Sequence, residues 1–498
     1  MSEKNLNLIG GEWVAASSGK WFDNRNPADR SDLVGHFPDG DARDVEAAVA
    51  AASRAFETWR LLPAPKRAEI VLRAGELLSE RKEVLAQDMT REMGKILDET
   101  RGDVQEAIDT AFYAAGEGRR MFGDTVPVEL PDKFGMSIRC PVGVFAIVTP
   151  WNFPMAIPSW KIFPALVCGN TVVFKPASDT PLSAANFVRT LADAGVPPGV
   201  VNLVTGGGRA VGQPLVEHPR VRGVSFTGST EVGRTIAEAA GKRLKRCSLE
   251  LGGKNGQIVL ADADIDLAVD GAVWGAFATA GQRCTATSRV IVEERAISAF
   301  TERLLDRVER LRVGPGLDPA SEMGPLVSEA QLKTVEHYVR VGLDEGATRI
   351  AGGERLTGGV LDRGWFYRPT VFTNVRPDMR IAQEEIFGPV LSILRCGSLE
   401  EGIAILNGTA YGLSSSIYTR DVNRAFRAIR DVEAGIVYVN GPTIGAEVQL
   451  PFGGVKDTGN GHREAGRAVL EVFTEWKTVY VDYSGRLQRA QIDSRKEP

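Results

Sequence analysis

Histidine is nearly absent from this 498-residue chain: there are four (His36, His218, His337 and His462), and none stands in an HExxH or HxH spacing. A histidine-based metal centre has little to form from, and no metal site is expected. Cysteine is scarce as well. The five present (Cys140, Cys168, Cys247, Cys284 and Cys396) are odd in number, widely scattered and without a CxxC pair. That pattern argues against a disulfide framework and a thiolate zinc site, and it fits a reducing cytoplasm. There is no basic excess: the formal net charge is -5, and no Lys/Arg block is interleaved with aromatics, so a nucleic-acid partner is not expected. Long apolar runs are missing too. The strongest, residues 142–148, is far below the roughly 18 residues of a bilayer-spanning helix and reads as a buried strand. Residues 1–11 contain Glu3, Lys4 and only short apolar pieces, too little for a secretory leader.

What is present is ordinary globular material, 43% hydrophobic and 25% charged, in a length that predicts roughly three structural units. Residues 41–60 place Val45, Ala48, Val49, Ala52 and Phe56 at helical spacing, and a second long helical pattern runs through Ile70, Leu72, Leu77, Leu78, Val84 and Leu85. From residue 142 the texture changes. Short apolar or β-branched runs at 142–148, 170–174, 200–204 and 223–226 alternate with helical stretches, predicting a parallel sheet of βαβ units. In one crossover Thr180 is placed to cap, Pro181 suits the first helical turn, and Gly195 with Pro197-Pro198 stops the helix. A second series at 255–260, 290–292, 390–394 and 436–440 predicts another α/β unit. Residues 477–482 alternate like a strand but have no sequence-adjacent partner, so pairing across a subunit boundary is expected.

Four short segments carry the chemistry. Cys284 lies in Gly281-Gln282-Arg283-Cys284-Thr285 after the small residues Ala278, Thr279 and Ala280, which leave open approach to a nucleophile. A free thiol is mostly protonated at neutral pH and needs a base or a nearby positive charge. Glu250 stands before Gly252-Gly253; a carboxylate in a partly apolar pocket acquires a raised pKa suited to a general base. Asn152, in Pro150-Trp151-Asn152-Phe153-Pro154, sits on a proline-fixed turn at a strand's carboxyl end, where its amide can donate to an oxyanion. Thr227-Gly228-Ser229 leads from an apolar strand into a helix whose first N–H groups can hold a pyrophosphate, and Lys175 ends a strand within reach of ribose or phosphate oxygens. Each has a plainer alternative: a small buried cysteine, a strand-end glutamate, a proline-locked loop, an exposed lysine. The spacing 228–233 is not GxGxxG, so no generic dinucleotide fingerprint is present.

In this order the segments resemble the aldehyde dehydrogenase superfamily over nearly the whole chain. The resemblance implies two doubly wound parallel-sheet α/β domains with a small β oligomerisation element. Residues 1–122 and 143–252 would form the Rossmann-like dinucleotide-binding domain, 253–467 the catalytic domain, and 123–142 with 468–498 the bridging element of a homodimer or homotetramer. It implies Cys284 as nucleophile, Glu250 as general base, Asn152 as oxyanion donor with the Cys284 backbone N–H, and Glu464, in Gly461-His462-Arg463-Glu464, as a proton-relay glutamate. Lys175 is counted with the catalytic set and the cofactor set alike. The dinucleotide would meet Thr149, Pro150, Trp151, Lys175, Ser178, Thr227, Gly228, Ser229, Glu250, Leu251, Gly252, Glu385 and Phe387.

The glutamate at 250 favours thioester hydrolysis, since the coenzyme-A-acylating branch lacks it. Many NAD-preferring relatives carry a glutamate three residues after the lysine matching Lys175; Ser178 stands there instead, which predicts acceptance of both cofactors with a lean to NADP. Arg283, Glu106, Thr285 and the segment 445–447 are similar to the set in α-aminoadipic semialdehyde dehydrogenase. The arginine that succinic semialdehyde enzymes carry near the position of Trp160 is absent, while Trp151 and Lys175-Pro176 are closer to 2-oxoglutarate semialdehyde or general members. A carboxylate-bearing semialdehyde is the expected substrate, with a broad-specificity aldehyde dehydrogenase as the alternative. The remaining alternatives are a thiol hydrolase, for which no histidine base falls in the motifs, and an inactive structural homologue.

Overall fold

The computed structural model describes residues 4–493, so residues 1–3 of the leaderless N-terminal reading and 494–498 of the bridging span lie outside the described residues. The chain opens with the hairpin β1 (Asn7–Ile9) and β2 (Glu12–Val14), then a second antiparallel pair, β3 (Trp21–Asn26) and β4 (Asp29–Pro38). Helix α1 (Ala42–Trp59) starts at Asp41, whose side chain accepts from the Arg43 N–H while Asp44 reaches back to the Asp41 N–H, a reciprocal cap that satisfies orphan donors. Its stripe of Val45, Ala48, Val49 and Ala52 is buried as the periodicity predicts.

The second helical pattern is not one helix. It breaks at Arg81 into α2 (Ala64–Glu80) and α3 (Lys82–Met93). The buried stripe of Val71, Leu78 and Leu85 keeps its seven-residue spacing across the break while Leu72 and Val84 lie exposed, and the helix is interrupted where the Arg81 backbone (φ -100°, ψ 1°) leaves helical geometry. Helix α4 (Leu97–Glu117) follows, then β5 (Thr125–Val126) and β6 (Lys133–Pro141).

The first large sheet is built from β7 (Val144–Val148), β8 (Thr171–Lys175), β9 (Val201–Leu203), β10 (Val221–Thr227) and β11 (Arg246–Glu250), in the order β11-β10-β7-β8-β9-β1-β2. The five strands from β11 to β9 are mutually parallel. Helices α5 (Ala156–Val167), α6 (Pro181–Asp193), α7 (Gln213–Glu217) and α8 (Thr230–Gly241) make the crossovers. Thr180 occupies the N-cap of α6, but its hydroxyl does not cap. The buried carboxylate of Glu92, from α3, takes that place by accepting from the N–H groups of Leu182 (2.6 Å) and Ser183 (2.8 Å).

The second large sheet holds β12 (Asn255–Val259), β13 (Thr287–Glu293), β14 (Thr348–Ala351), β15 (Thr370–Thr373), β16 (Val390–Cys396) and, past the short β17 (Tyr411–Gly412), β18 (Ser414–Tyr418) and β19 (Ile436–Val439). Its order is β14-β15-β16-β13-β12-β18-β19, parallel except for the edge strand β14. Both sheets are thus doubly wound α/β, and each has its own core. After β20 (Val455–Lys456), β21 (Thr474–Asp482) corrects the expected pairing across a subunit boundary: it pairs antiparallel with β6 of the same chain, from Thr474 opposite Pro141 to Asp482 opposite Lys133. The partner lies more than 300 residues away, beyond any local pattern. In the order β21-β6-β5, the outer edge of β21 has no partner strand among the described residues. No helix among them is long and apolar enough to cross a membrane.

Candidate active site

In the first sheet the chain runs from β7 outward through β8 and β9, then returns to lay β10 on the other side of β7. Strand order reverses between β7 and β10, and a crevice opens beyond their carboxyl ends, where doubly wound sheets bind ligands. Thr149, Pro150 and Trp151 leave β7 there, and Thr227, Gly228 and Ser229 leave β10. The second sheet meets this crevice with the opposite ends of its strands: Cys284 precedes β13, and Glu385 and Phe387 precede β16. The link Leu251 to Lys254 joins the carboxyl end of β11 to the amino end of β12, so the site lies at the seam of two sheets.

The loop carrying Cys284 is irregular and held from several sides. Thr279 and Ala280 adopt left-handed backbone (φ 54° and 53°), a cost of the kind that concentrates at functional sites. The Glu99 carboxylate on α4 accepts from the Thr279 N–H at 2.6 Å, Gln282 accepts from the Val327 N–H at 3.0 Å, and the Asn255 amide donates to the Cys284 and Ala286 carbonyls at 2.7 and 2.9 Å. Gly253 is required by close approach, since a Cβ there would stand 2.6 Å from the Cys284 carbonyl oxygen. The thiol is partly accessible and faces a cavity of about 110 Å³ whose walls include Glu106, Phe153, Trp160, Thr227, Glu250, Leu251, Arg283, Thr285, Phe452 and Glu464. Burial, with the carboxylates of Glu385 and Glu250 nearby, pushes the Cys284 thiol up to about 12. Backbone N–H groups of Thr285 and Cys284 pull it down but are outweighed, so the resting group is the thiol and a base must take its proton.

Glu250, at the end of β11, is buried and neither carboxyl oxygen has a hydrogen-bond partner among the described residues. Burial first, and then the Glu464 carboxylate, hold its pKa well above the ordinary range. Glu464 itself is anchored: Lys161, on α5, donates to it and also to Ser225 Oγ at 3.0 Å. The stretch around Glu464 folds back over β11, with the Leu251 N–H donating to the Thr458 carbonyl at 2.7 Å and Asn460 bonded to both Leu249 and Cys247. Asn152 is buried between Trp151, which lines the crevice, and Phe153, which lines the cavity; its Oδ1 has no partner among the described residues.

The crevice itself is a groove of about 630 Å³, a size suited to a dinucleotide's adenosine half, lined by Thr149, Pro150, Trp151, Lys175, Thr227, Gly228 and Ser229 among others. Ser229 Oγ accepts from the Val232 N–H and so caps α8, leaving the first backbone N–H groups of that helix to face an anion. Lys175 is buried, donates to the Pro176 carbonyl at 2.9 Å, and is brought down to about 8 by burial. Ser178 is exposed, next to Ala177 on the groove wall. Glu385 accepts from the Gly253 N–H at 2.9 Å and is pushed up to about 7 by burial, while the Phe387 ring closes on Trp151 edge-on at 5.4 Å. A Cβ on Gly252 would lie 2.5 Å from the Glu385 carboxylate, so a larger residue there would have to displace that side chain.

At the cavity's other side, Arg283 is mostly buried. It donates to Thr279 Oγ1 at 2.9 Å and to Glu99 at 3.3 Å, and stacks over Phe153 and Trp274. Glu106 is pushed up to about 8 by burial and then by the Asp103 carboxylate. Several residues that shape the site give little signal in the sequence: Glu99 and Asp103 look like ordinary polar positions on a helix, Lys95 like a charge in a turn, and Arg209, on the groove wall, like a loop charge, whereas Lys161, the lone charge in the apolar stretch 156–167, is a position the sequence could have marked. Among the described residues no group of three or more metal-ligating side chains converges.

A doubly wound sheet with a groove sized for the adenosine half of a dinucleotide at its switch point, beside a cavity holding a thiol and a buried carboxyl, fits the class of nicotinamide-dependent oxidoreductases. The aldehyde dehydrogenase family model matches residues 13–479. Among known proteins the chain is similar to an α-ketoglutaric semialdehyde dehydrogenase of Bacillus subtilis, 44% identical over 97% of this chain and 99% of that protein. It is also similar to the NADP(+) succinate-semialdehyde dehydrogenase of Escherichia coli, 41% identical over 95% and 97%. A solved betaine aldehyde dehydrogenase from Staphylococcus aureus in complex with NAD+ superposes with a TM-score of 0.95 at 36% identity, covering 97% of this chain and 96% of that one. The chain belongs to the aldehyde dehydrogenase family, and is an enzyme that oxidises an aldehyde to a carboxylic acid with NAD or NADP.

Proposed function

We propose that Cys284 is the nucleophile, Glu250 the general base and Asn152 the oxyanion donor in the oxidation of a carboxylate-bearing semialdehyde of the 2-oxoglutarate type. The observation that carries this reading is a single cavity lined by Cys284, Glu250, Glu464, Arg283, Glu106 and Thr285. Glu250 takes the thiol proton, and Sγ adds to the aldehyde carbon. The alkoxide so formed accepts from the Asn152 amide and the Cys284 N–H, donors placed where charge develops. The nicotinamide, when bound, supplies the hydride acceptor. Cys284 is then left as a thioester; Glu250 withdraws a proton from water, the hydroxide attacks the acyl carbon, and the carboxylate departs as the thiol is regenerated. Lys161 and Glu464, ion-paired behind Glu250, carry its proton outward.

Glu106, protonated near neutrality, tolerates a substrate carboxylate beside Arg283 and can donate to it. The residues toward the cofactor are Lys175 and Arg209 at the adenosine end, where no carboxylate at 178 opposes a 2′-phosphate, so NADP is accepted beside NAD and preferred. Five cysteines without disulfides are in keeping with a reducing cytoplasm. The domain reading assigns 1–122 and 143–252 to the cofactor, 253–467 to catalysis, and the β6/β21 ribbon to assembly of a homodimer or homotetramer.

The test is a panel of short aliphatic, aromatic and carboxylated aldehydes, each followed by nicotinamide absorbance with both cofactors. The semialdehyde of 2-oxoglutarate is expected to give the highest kcat/KM by at least about 10-fold, the effect of one well-placed charged contact. Higher values for unfunctionalised aldehydes would establish the broad-specificity alternative.

A further inference from the structure

The turn bearing Asn152 and the loop bearing Cys284 belong to different sheets, yet both are tied to one face of α4. Glu99, Asp103 and Glu106 occupy positions i, i+4 and i+7 of that helix and share a side. Glu99 holds the Cys284 loop through the Thr279 N–H at 2.6 Å and Arg283 at 3.3 Å. Asp103 holds the other loop twice over. Its Oδ1 accepts from the Ala156 N–H at 2.7 Å, and its Oδ2 accepts at 2.7 Å from Lys95, whose ammonium donates onward to the Asn152 carbonyl at 2.9 Å and lies 4.0 Å over the Phe153 ring. The Lys95 and Asp103 side chains are fully buried. An ion pair so desolvated contributes little net stability against an apolar pair of equal volume, which makes stability a poor explanation for it. Its outward hydrogen bonds, by contrast, end on the Asn152 carbonyl and the Ala156 N–H, the backbone of the turn whose amide must face the alkoxide.

We propose that Lys95 and Asp103 are positioning residues that hold the Asn152 amide at its working distance from Cys284, with α4 as the common reference for both loops. The proposal rests on the reading of Cys284 and Asn152 given above. It makes no claim that either residue touches substrate.

The test compares Asp103→Asn, Lys95→Met, Asn152→Ala, the Asp103→Asn/Asn152→Ala double variant and the apolar replacement Lys95→Met/Asp103→Leu. Asp103→Asn is expected to lower kcat by about 10- to 100-fold, the cost of a misplacement on the order of 1 Å, with equilibrium cofactor binding within about 2-fold of the parent. In the Asn152→Ala background the same change should cost less than about 2-fold, because its route to the alkoxide is already gone. The apolar pair leaves no buried charge unpaired but strips the Ala156 N–H and the Asn152 carbonyl of their partners, so it should fold with a lowered melting temperature and remain slow, which serves where single substitutions fail to fold. Parent-like kcat in Asp103→Asn or in the apolar pair overturns the proposal, as does a loss that multiplies with that of Asn152→Ala. Full activity of Asn152→Ala would instead overturn the oxyanion role, and the positioning proposal with it.

Discussion

Glu250 ends β11 with both carboxyl oxygens unsatisfied in the apolar floor of the cavity, a state that costs free energy unless the group is protonated or in use. Its raised pKa sets the direction of the pH dependence. A base works only when deprotonated, so steady-state turnover should climb with pH through the elevated Glu250 pKa, and burial of the Cys284 thiol adds to the same alkaline rise. Glu250→Gln removes the base from both steps, so the first turnover of reduced cofactor should be slowed and steady turnover should fall by at least about 100-fold, within the range assigned to general-base catalysis. Stopped-flow absorbance checks it; full turnover in that variant would remove Glu250 from the mechanism.

At the scale of elements, the cap of α6 shows how a distant side chain completes what the local sequence leaves open. The sequence pattern marks the start of the helix correctly at Thr180-Pro181, yet the orphan N–H groups of Leu182 and Ser183 are bound by Glu92 of α3. Glu92→Ala would bury these donors unpaired and should lower stability by about 2–3 kcal/mol, measured by urea unfolding. Thr180→Ala should be nearly neutral, because its hydroxyl makes no bond. The same limit explains the split of the second helical pattern. Spacing identifies helix, and because Val71, Leu78 and Leu85 keep their period through Arg81 the hydrophobic pattern carries no mark of the break there.

For the whole molecule, the β6/β21 ribbon is the feature a single chain leaves incomplete. Trp476, Tyr480, Val481, Phe134 and Ile138 lie exposed on it, and the outer edge of β21 has unpaired backbone groups. Deleting residues 474–493 should convert a homo-oligomer to smaller or aggregated species in light-scattering-coupled gel filtration. A parent protein that elutes as a monomer would refute the assembly reading.

The sequence alone was enough for the alternation of strand and helix in both units and for the short segments holding Cys284, Glu250 and Asn152, because turn chemistry and periodicity act over a few residues. Ser178 was placed by position in a motif, and its exposure beside the groove wall at Ala177 came only from the fold. The partners that give those segments their chemistry were decided by the tertiary structure. Lys161 behind Glu464, Glu99 beneath the Cys284 loop, Lys95 against Asn152 and β6 beside β21 are joined across 50 to more than 300 residues. Contacts of that span arise when elements far apart in the chain pack together, and no local pattern encodes which buried charge will meet which.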